Sequence, residues 1–142
     1  MAIGPAMAAL KAYAEANLTE LPVAFNREGF TPPPELAPWA LIRVISGLTG
    51  IIGVGTPGSR LIEQDGLLHI LVHVKKGTVW ERGAALADNI AARFETIQLP
   101  APANPEYVRT QIARVDPNVA DDNRDQYDVI LVSVPFVLYQ FR

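Results

Sequence analysis

The stretch from Tyr127 to Phe141 (YDVILVSVPFVLYQF) constrains this chain more than any other part of it. A run so long and so rich in β-branched and aromatic residues, apolar on both faces in its middle, is a strand. It commits the chain to a sheet. Pro135 lies inside it and has no N–H to give to a ladder, so a bulge or an edge is expected there. Gly66 to Val74 reads as a second strand, with Leu68, Ile70, Val72 and Val74 on one apolar face. Trp39 to Ser46 reads as another, with Trp39, Leu41, Arg43 and Ile45 on one side and Ala40, Ile42 and Val44 on the other. Val108 to Val115 looks like a further strand, in which Val108, Thr110 and Ile112 oppose Arg109 and Gln111.

Two segments break from this period of two. Ile3, Ala6, Met7, Leu10, Ala14 and Leu18 recur at helical spacing, and Gly4-Pro5 suits a helix start. Thr78 and Glu81 have the spacing of a capping box. Behind them Trp80, Ala84, Ala87, Ile90, Ala91 and Phe94 continue the stripe of a second helix, which stops before Leu99-Pro100. Between these elements Leu21 to Phe25 is short and extended. Thr31 to Pro38, with Pro32, Pro33 and Pro34, is a stiff connector without a helix. Pro100 to Pro105 is a second proline-marked link, and Asp116 to Asp125 is a polar, acidic turn. The order helix, strands, helix, strands predicts an α+β fold: a single domain over residues 1–142, with a mainly antiparallel sheet and two principal helices packed on one side.

The totals narrow the function. A chain of 142 residues, 49% hydrophobic and 19% charged, holds one core's worth of material. Its net charge is -3, and Lys75-Lys76 is the only adjacent pair among its twelve Lys and Arg. A grip on a phosphate backbone is not what this composition offers. With no cysteine, thiolate chemistry and disulfides are excluded. Neither a signal peptide nor an apolar run of bilayer length is read, so a soluble protein without membrane contact is expected.

Three motifs invite a chemical reading, and each fails a context test. Gly53, Gly55 and Gly58 satisfy G-x-G-x-x-G, but Pro57 interrupts it and a strand follows where a dinucleotide site needs a helix. His69 and His73 would share a helical face. On a strand they stand about 13 Å apart, too far for one ion, so solvated or interface histidines are expected. Asp121, Asn123 and Asp125 match the first ligand positions of an EF-hand loop. Gln126 and Val132 then stand where its glycine and its bidentate glutamate belong. No Ser or Thr has a nucleophile's context. The expectation is no catalytic site, no metal and no cofactor.

The stretch Gly47 to Ser59 is long for a loop between strands, and it carries Ile51, Ile52 and Val54 among its glycines. Its apolar tip needs cover, either from the body of the domain or from a neighbour.

Order and spacing add a resemblance that runs through nearly the whole chain. Leu21-Pro22-Val23-Ala24-Phe25-Asn26, then Phe30-Thr31-Pro32-Pro33, then Trp39 to Val44 is similar to the opening of the phage tail terminator family, the relatives of the lambdoid minor tail protein U. Arg60, Asp65-Gly66-Leu67 and the strand after them resemble that family's next block. Gly83 to Phe94 resembles its helix, and Val132, Val134 and Phe136 its closing strand. The acidic residues Asp121 to Asp125 have no counterpart in the pattern.

The resemblance implies a structural virion protein, not an enzyme, found at the head-proximal end of the tail and assembled in the host cytoplasm. It implies a ring, six subunits in this family, that ends tube growth and presents a surface to the head. The partners it implies are other copies of the chain, the tail tube protein and a head-side connector, with DNA passing through the lumen without specific binding. Ile51, Ile52, Val54 and Arg60 are the candidate subunit or tube interface. Two alternatives remain: another neck component, such as a head–tail connector or completion protein, and a small α+β ligand-binding domain or enzyme with a deep polar pocket. If the loop is an interface, the double substitution Ile51→Asp, Ile52→Asp abolishes assembly and leaves the far-UV circular dichroism spectrum unchanged. Rings formed by that variant at wild-type concentration would refute this assignment.

Overall fold

A computed structural model describes residues 3–25, 30–31, 33–51, 60–100, 107–119 and 127–141. Its elements run α1 (Ile3–Asn17), β1 (Val23–Ala24), β2 (Trp39–Ile51), β3 (Leu61–Lys75), α2 (Ala84–Phe94), β4 (Gln98–Pro100), β5 (Tyr107–Thr110), β6 (Arg114–Val119) and β7 (Tyr127–Phe141). The strands form one sheet in the order β1-β2-β3-β7-β5-β4, with β6 also paired to β7. Only the β1–β2 pair is parallel. The expected α+β class and antiparallel sheet are therefore found.

The centre of the sheet is the β3–β7 pair, matched without a slip from Leu61↔Phe141 to Lys75↔Tyr127. Side chains alternate across a strand, so matched partners share a face. Leu68, Ile70 and Val72 of β3 and Ile130, Val132 and Val134 of β7 point to one side and are fully buried there. Both helices close over that side. Leu10, Ala14 and Leu18 from α1 join Ala87, Ile90, Ala91 and Phe94 from α2 in the same core. The two helix ends are clipped together: Tyr13 stacks edge-on to Phe94, and its hydroxyl donates to the Arg93 carbonyl at 2.6 Å. Arg93 in turn donates to the Asn17 carbonyl at 2.9 Å and pairs with Glu20. That contact satisfies a helix-end carbonyl with a cation, which the helix dipole favours there.

Several local expectations are corrected. The capping box does not form. Thr78 Oγ1 donates backwards to the Lys75 carbonyl at 2.5 Å, and no side chain caps the helix. The helix opens instead with a π turn over Val79–Gly83, in which the N–H groups of both Arg82 and Gly83 reach the Thr78 carbonyl. A π turn adds a residue and shifts the phase of everything before it. Trp80 therefore leaves the buried stripe and stands 94% exposed. Gly83 is closely packed in that turn: a Cβ there would lie 2.8 Å from Ile130 Cδ1, which would have to move aside.

The proline connector holds a single 3-10 turn, Pro34–Leu36, with Glu35 and Leu36 at positive φ. The strand expected over Val108 to Val115 is two strands, β5 and β6, broken at residues 111–113. Asp116 belongs to β6 and not to a turn.

That break explains Pro135, which makes neither a bulge nor an outer edge. Its carbonyl accepts from Gln111 N at 2.8 Å, so its missing N–H points into the same gap between β5 and β6. There no ladder bond is lost. The gap is held by Ala113 N donating to Glu95 Oε2 at 2.8 Å, and by the buried Thr110 hydroxyl donating to the Phe94 carbonyl at 2.6 Å.

Gly66 is the tightest point of the central pair. A Cβ there would stand 2.2 Å from Phe136 Cζ, in collision with the edge of the ring. We expect Gly66→Ala to cost about 1–3 kcal/mol in urea unfolding, as overpacked cores do. Adding Phe136→Leu should return part of that loss. A Gly66→Ala variant as stable as the parent would contradict this packing.

Candidate functional site

The helices cover one face of the sheet and leave the other, and the register arranges the second face in rows. Trp39, His73 and Val129 form the first row; Leu41, Leu71, Leu131 and Asp116 the second. The third is polar: Arg43, His69, Ser133 and Arg114. The fourth is apolar again, with Ile45, Leu67 and Pro135, and the fifth sets Asp65 against Val137 and Arg109.

The first two rows are closed over within the chain. His73 lies flat on Trp39 with ring centroids 3.8 Å apart, while Phe30 and Tyr127 pack around them. At 3% exposure His73 is a core residue and not the solvated or interface histidine expected. Its Nδ1 sits 3.1 Å from the Leu71 carbonyl. Stacking on a large indole outweighs the polarity of the ring at this position.

His69, four residues along, is half-buried, and its pKa is pushed below the ordinary 6.5. Burial is the larger cause, and the Arg43 guanidinium facing it from β2 adds to it.

The fourth row opens into a groove of about 320 Å³, lined by Ile45, Leu67, Pro135 and Val137 with Asp65 and Gln111. Ile45 is 42% exposed, and Ile112, beside Gln111, is 74% exposed. The groove has mainly apolar walls, with one carboxylate, Asp65, and the neutral polar side chains of Ser46 and Gln111. Such a lining suits a side chain from another protein better than a polar substrate. Among the described residues, no group of His, Asp or Glu is placed to hold a metal. No helix among them is long and apolar enough to cross a membrane.

Of the interface residues inferred from sequence, Ile51 ends β2 in register with Ile62, so β2 runs further than Ser46 and passes a bulge between Ser46 and Thr49. Ile52 and Val54 lie outside the described residues, as do Gly53, Gly55, Gly58 and the acidic residues 121–125. The chain leaving the glycines enters β3 at Leu61 and not a helix. Arg60 is half-buried, with its Nε out of solvent and no acceptor for it among the described residues. Sequence reasoning missed the groove. Its signal was the apolar pair Ile45 and Leu67 on the face that also carries Arg43 and His69.

Comparison with known proteins identifies the class. A model of the phage tail terminator protein family matches residues 6–135, and the chain belongs to that family. It is thus a structural protein of phage tails. A solved structure with 19% sequence identity shares the fold at a TM-score of 0.66, over 100% of this chain and 98% of the other. No curated protein matches the sequence.

The depressed His69 pKa has a definite sign. The unfolded chain takes up a proton at about 6.5 and the folded chain only at lower pH. Stability therefore holds above 6.5 and falls as pH drops towards the folded value. In an NMR titration His69 should have a midpoint below 6.5. Arg43→Gln should raise that midpoint yet leave it under 6.5, because burial dominates. A midpoint at or above 6.5 in the parent would overturn this account.

Proposed function

We propose that this chain is the terminator subunit of a long-tailed phage or phage-like particle. In this reading its copies form a ring, six in number, on the head-proximal end of the tail tube. The ring stops addition of further tube protein and offers its other surface to the head-side connector, while DNA passes through its centre. The observation that carries the reading is the family match over residues 6–135.

Two features of the chain support it. A ring needs two different surfaces on each subunit, since a head-to-tail contact that closes gives a ring and one that does not gives a filament. Here the helix-covered side and the groove-bearing side are unlike in shape and chemistry. A net charge of -3 also suits a lumen through which DNA slides without sticking. Ile51, Ile52, Val54 and Arg60 are retained as candidate contacts with the neighbour or the tube.

The test is solution mass over a concentration series, with negative-stain images of the same samples and of samples mixed with purified tail tubes. Six-fold rings with an open centre, or density capping one tube end, are expected. A monomer that leaves tube ends bare and tube growth unchecked would refute the reading. Loss of the protein from the particle should give overlong headless tails. Tails of normal length that fail to join heads would point to a connector instead.

A further inference from the structure

Trp80 is the most exposed large hydrophobic side chain among the described residues, and cations outnumber acids beside it. Lys75, Lys76 and Arg82 are all exposed near it in the chain, against two acids, Glu81 and Asp128, whose Oδ2 accepts from Gly77 N at 2.9 Å. An indole 94% in water is a large apolar surface left uncovered, and tryptophan is the residue type most often found as the anchor of a protein contact. Its position is firm. Thr78 ties the π turn to Lys75, and Gly83 packs on Val74 and Ile130, so Trp80 stands at the Lys75 end of β3.

The groove lined by Ile45, Leu67, Pro135 and Val137 lies at the level of Gly66, on the opposite face. Nine residues of strand separate Gly66 from Lys75, about 30 Å at the rise of a β-strand. Trp80 is out of reach of its own groove. Cavities about half the groove's size already take a benzene ring.

We infer that Trp80 of one copy inserts into the groove at Leu67 of the next copy, making the head-to-tail contact of the assembly; this rests on the ring reading above. Charge selects this groove among those described. It is lined by Asp65 and by no cation, so it suits the Lys75, Lys76 and Arg82 flank. The groove between α1 and β2 carries Lys11 and Arg43, the one beside β4 carries Arg109, and the one at β6 sets Arg114 beside Asp116. Each of those meets the cationic flank with a like charge. Knob and groove are different patches on one molecule, so the contact is heterologous.

The chain has no cysteine, which makes the contact directly testable. Proteins carrying Trp80→Cys alone and Leu67→Cys alone are prepared, mixed and oxidised. A disulfide-linked pair is expected in the mixture and in neither protein by itself. Trp80→Ala should raise the concentration needed for assembly by about 30-fold, the loss typical of an anchor residue. Asp65→Lys should weaken assembly, and Lys76→Glu added to it should recover part of the loss. Wild-type rings with no cross-link in the mixture, and Trp80→Ala rings at unchanged concentration, would overturn this contact and leave the ring standing. A wild-type protein that forms no ring, free or on tubes, would remove both.

Discussion

The unbroken pairing of β3 with β7 is the constraint on which the rest of the structure depends. Because side chains alternate, a slip of one residue would carry Leu68, Ile70, Val72, Ile130, Val132 and Val134 away from the helices and into the other face. Gly66 and Phe136 oppose each other in this register, and the ring of Phe136 fills the space a Cβ would need. Moved by one position, the ring would meet Asp65 or Leu67, each with a Cβ of its own. A single glycine thus pins a pair of long strands, and with it both faces of the sheet.

One of those faces is covered by helices and the other is only partly covered from within. An antiparallel sheet that meets water on one side ordinarily alternates apolar-in with polar-out. Here the outward positions of β2, β3 and β7 include Leu41, Leu71, Leu131, Ile45, Leu67 and Val137. The stacked pair Trp39 and His73, with Phe30 and Tyr127, buries the leucines nearest to it. Beyond the row of Arg43, His69, Ser133 and Arg114 that internal cover gives out, and Ile45 is left in water. The polar row divides a sheet face packed by its own chain from one suited to another chain.

The fold class, both helices on one side and the main strands were legible in the sequence, because each rests on a period that local chemistry imposes. Alternation in β3 and β7 and the α2 stripe from Ala84 to Phe94 needed no tertiary information. What escaped was decided by contacts between distant segments. Trp80 fits the helical spacing on paper, and only the π turn, set by Gly83 packing on Val74 and Ile130, turns it outward. Pro135 signals a broken ladder, yet that break is supplied by the gap between β5 and β6. His73 reads as polar until Trp39 is known to lie across the strand from it. The ends of β2 and β3 ran past the glycines that seemed to stop them, since pairing outweighs the intrinsic reluctance of Gly47 and Gly50 to be in a strand. The groove was illegible for the same reason: Ile45, Leu67 and Pro135 come from three strands and meet only through register.

On the reading proposed above this chain ends a polymer, and that task takes no reactive group. What it needs is a fixed rotation from one subunit to the next, since a small error repeated around the assembly opens a ring into a helix. In this chain both halves of the inferred contact hang on β3. Trp80 is tied to its Lys75 end, and the groove is built around Leu67 towards the other. The angle between them is then set by the twist of a strand paired along its whole length with β7, and not by a loop. A contact carried on loops would let the rotation wander, whereas one tied to two points of a strand paired along its whole length transmits the same angle at each step. On the ring reading, closure becomes a property of the core packing, and the pin at Gly66 and Phe136 bears on assembly as well as on stability.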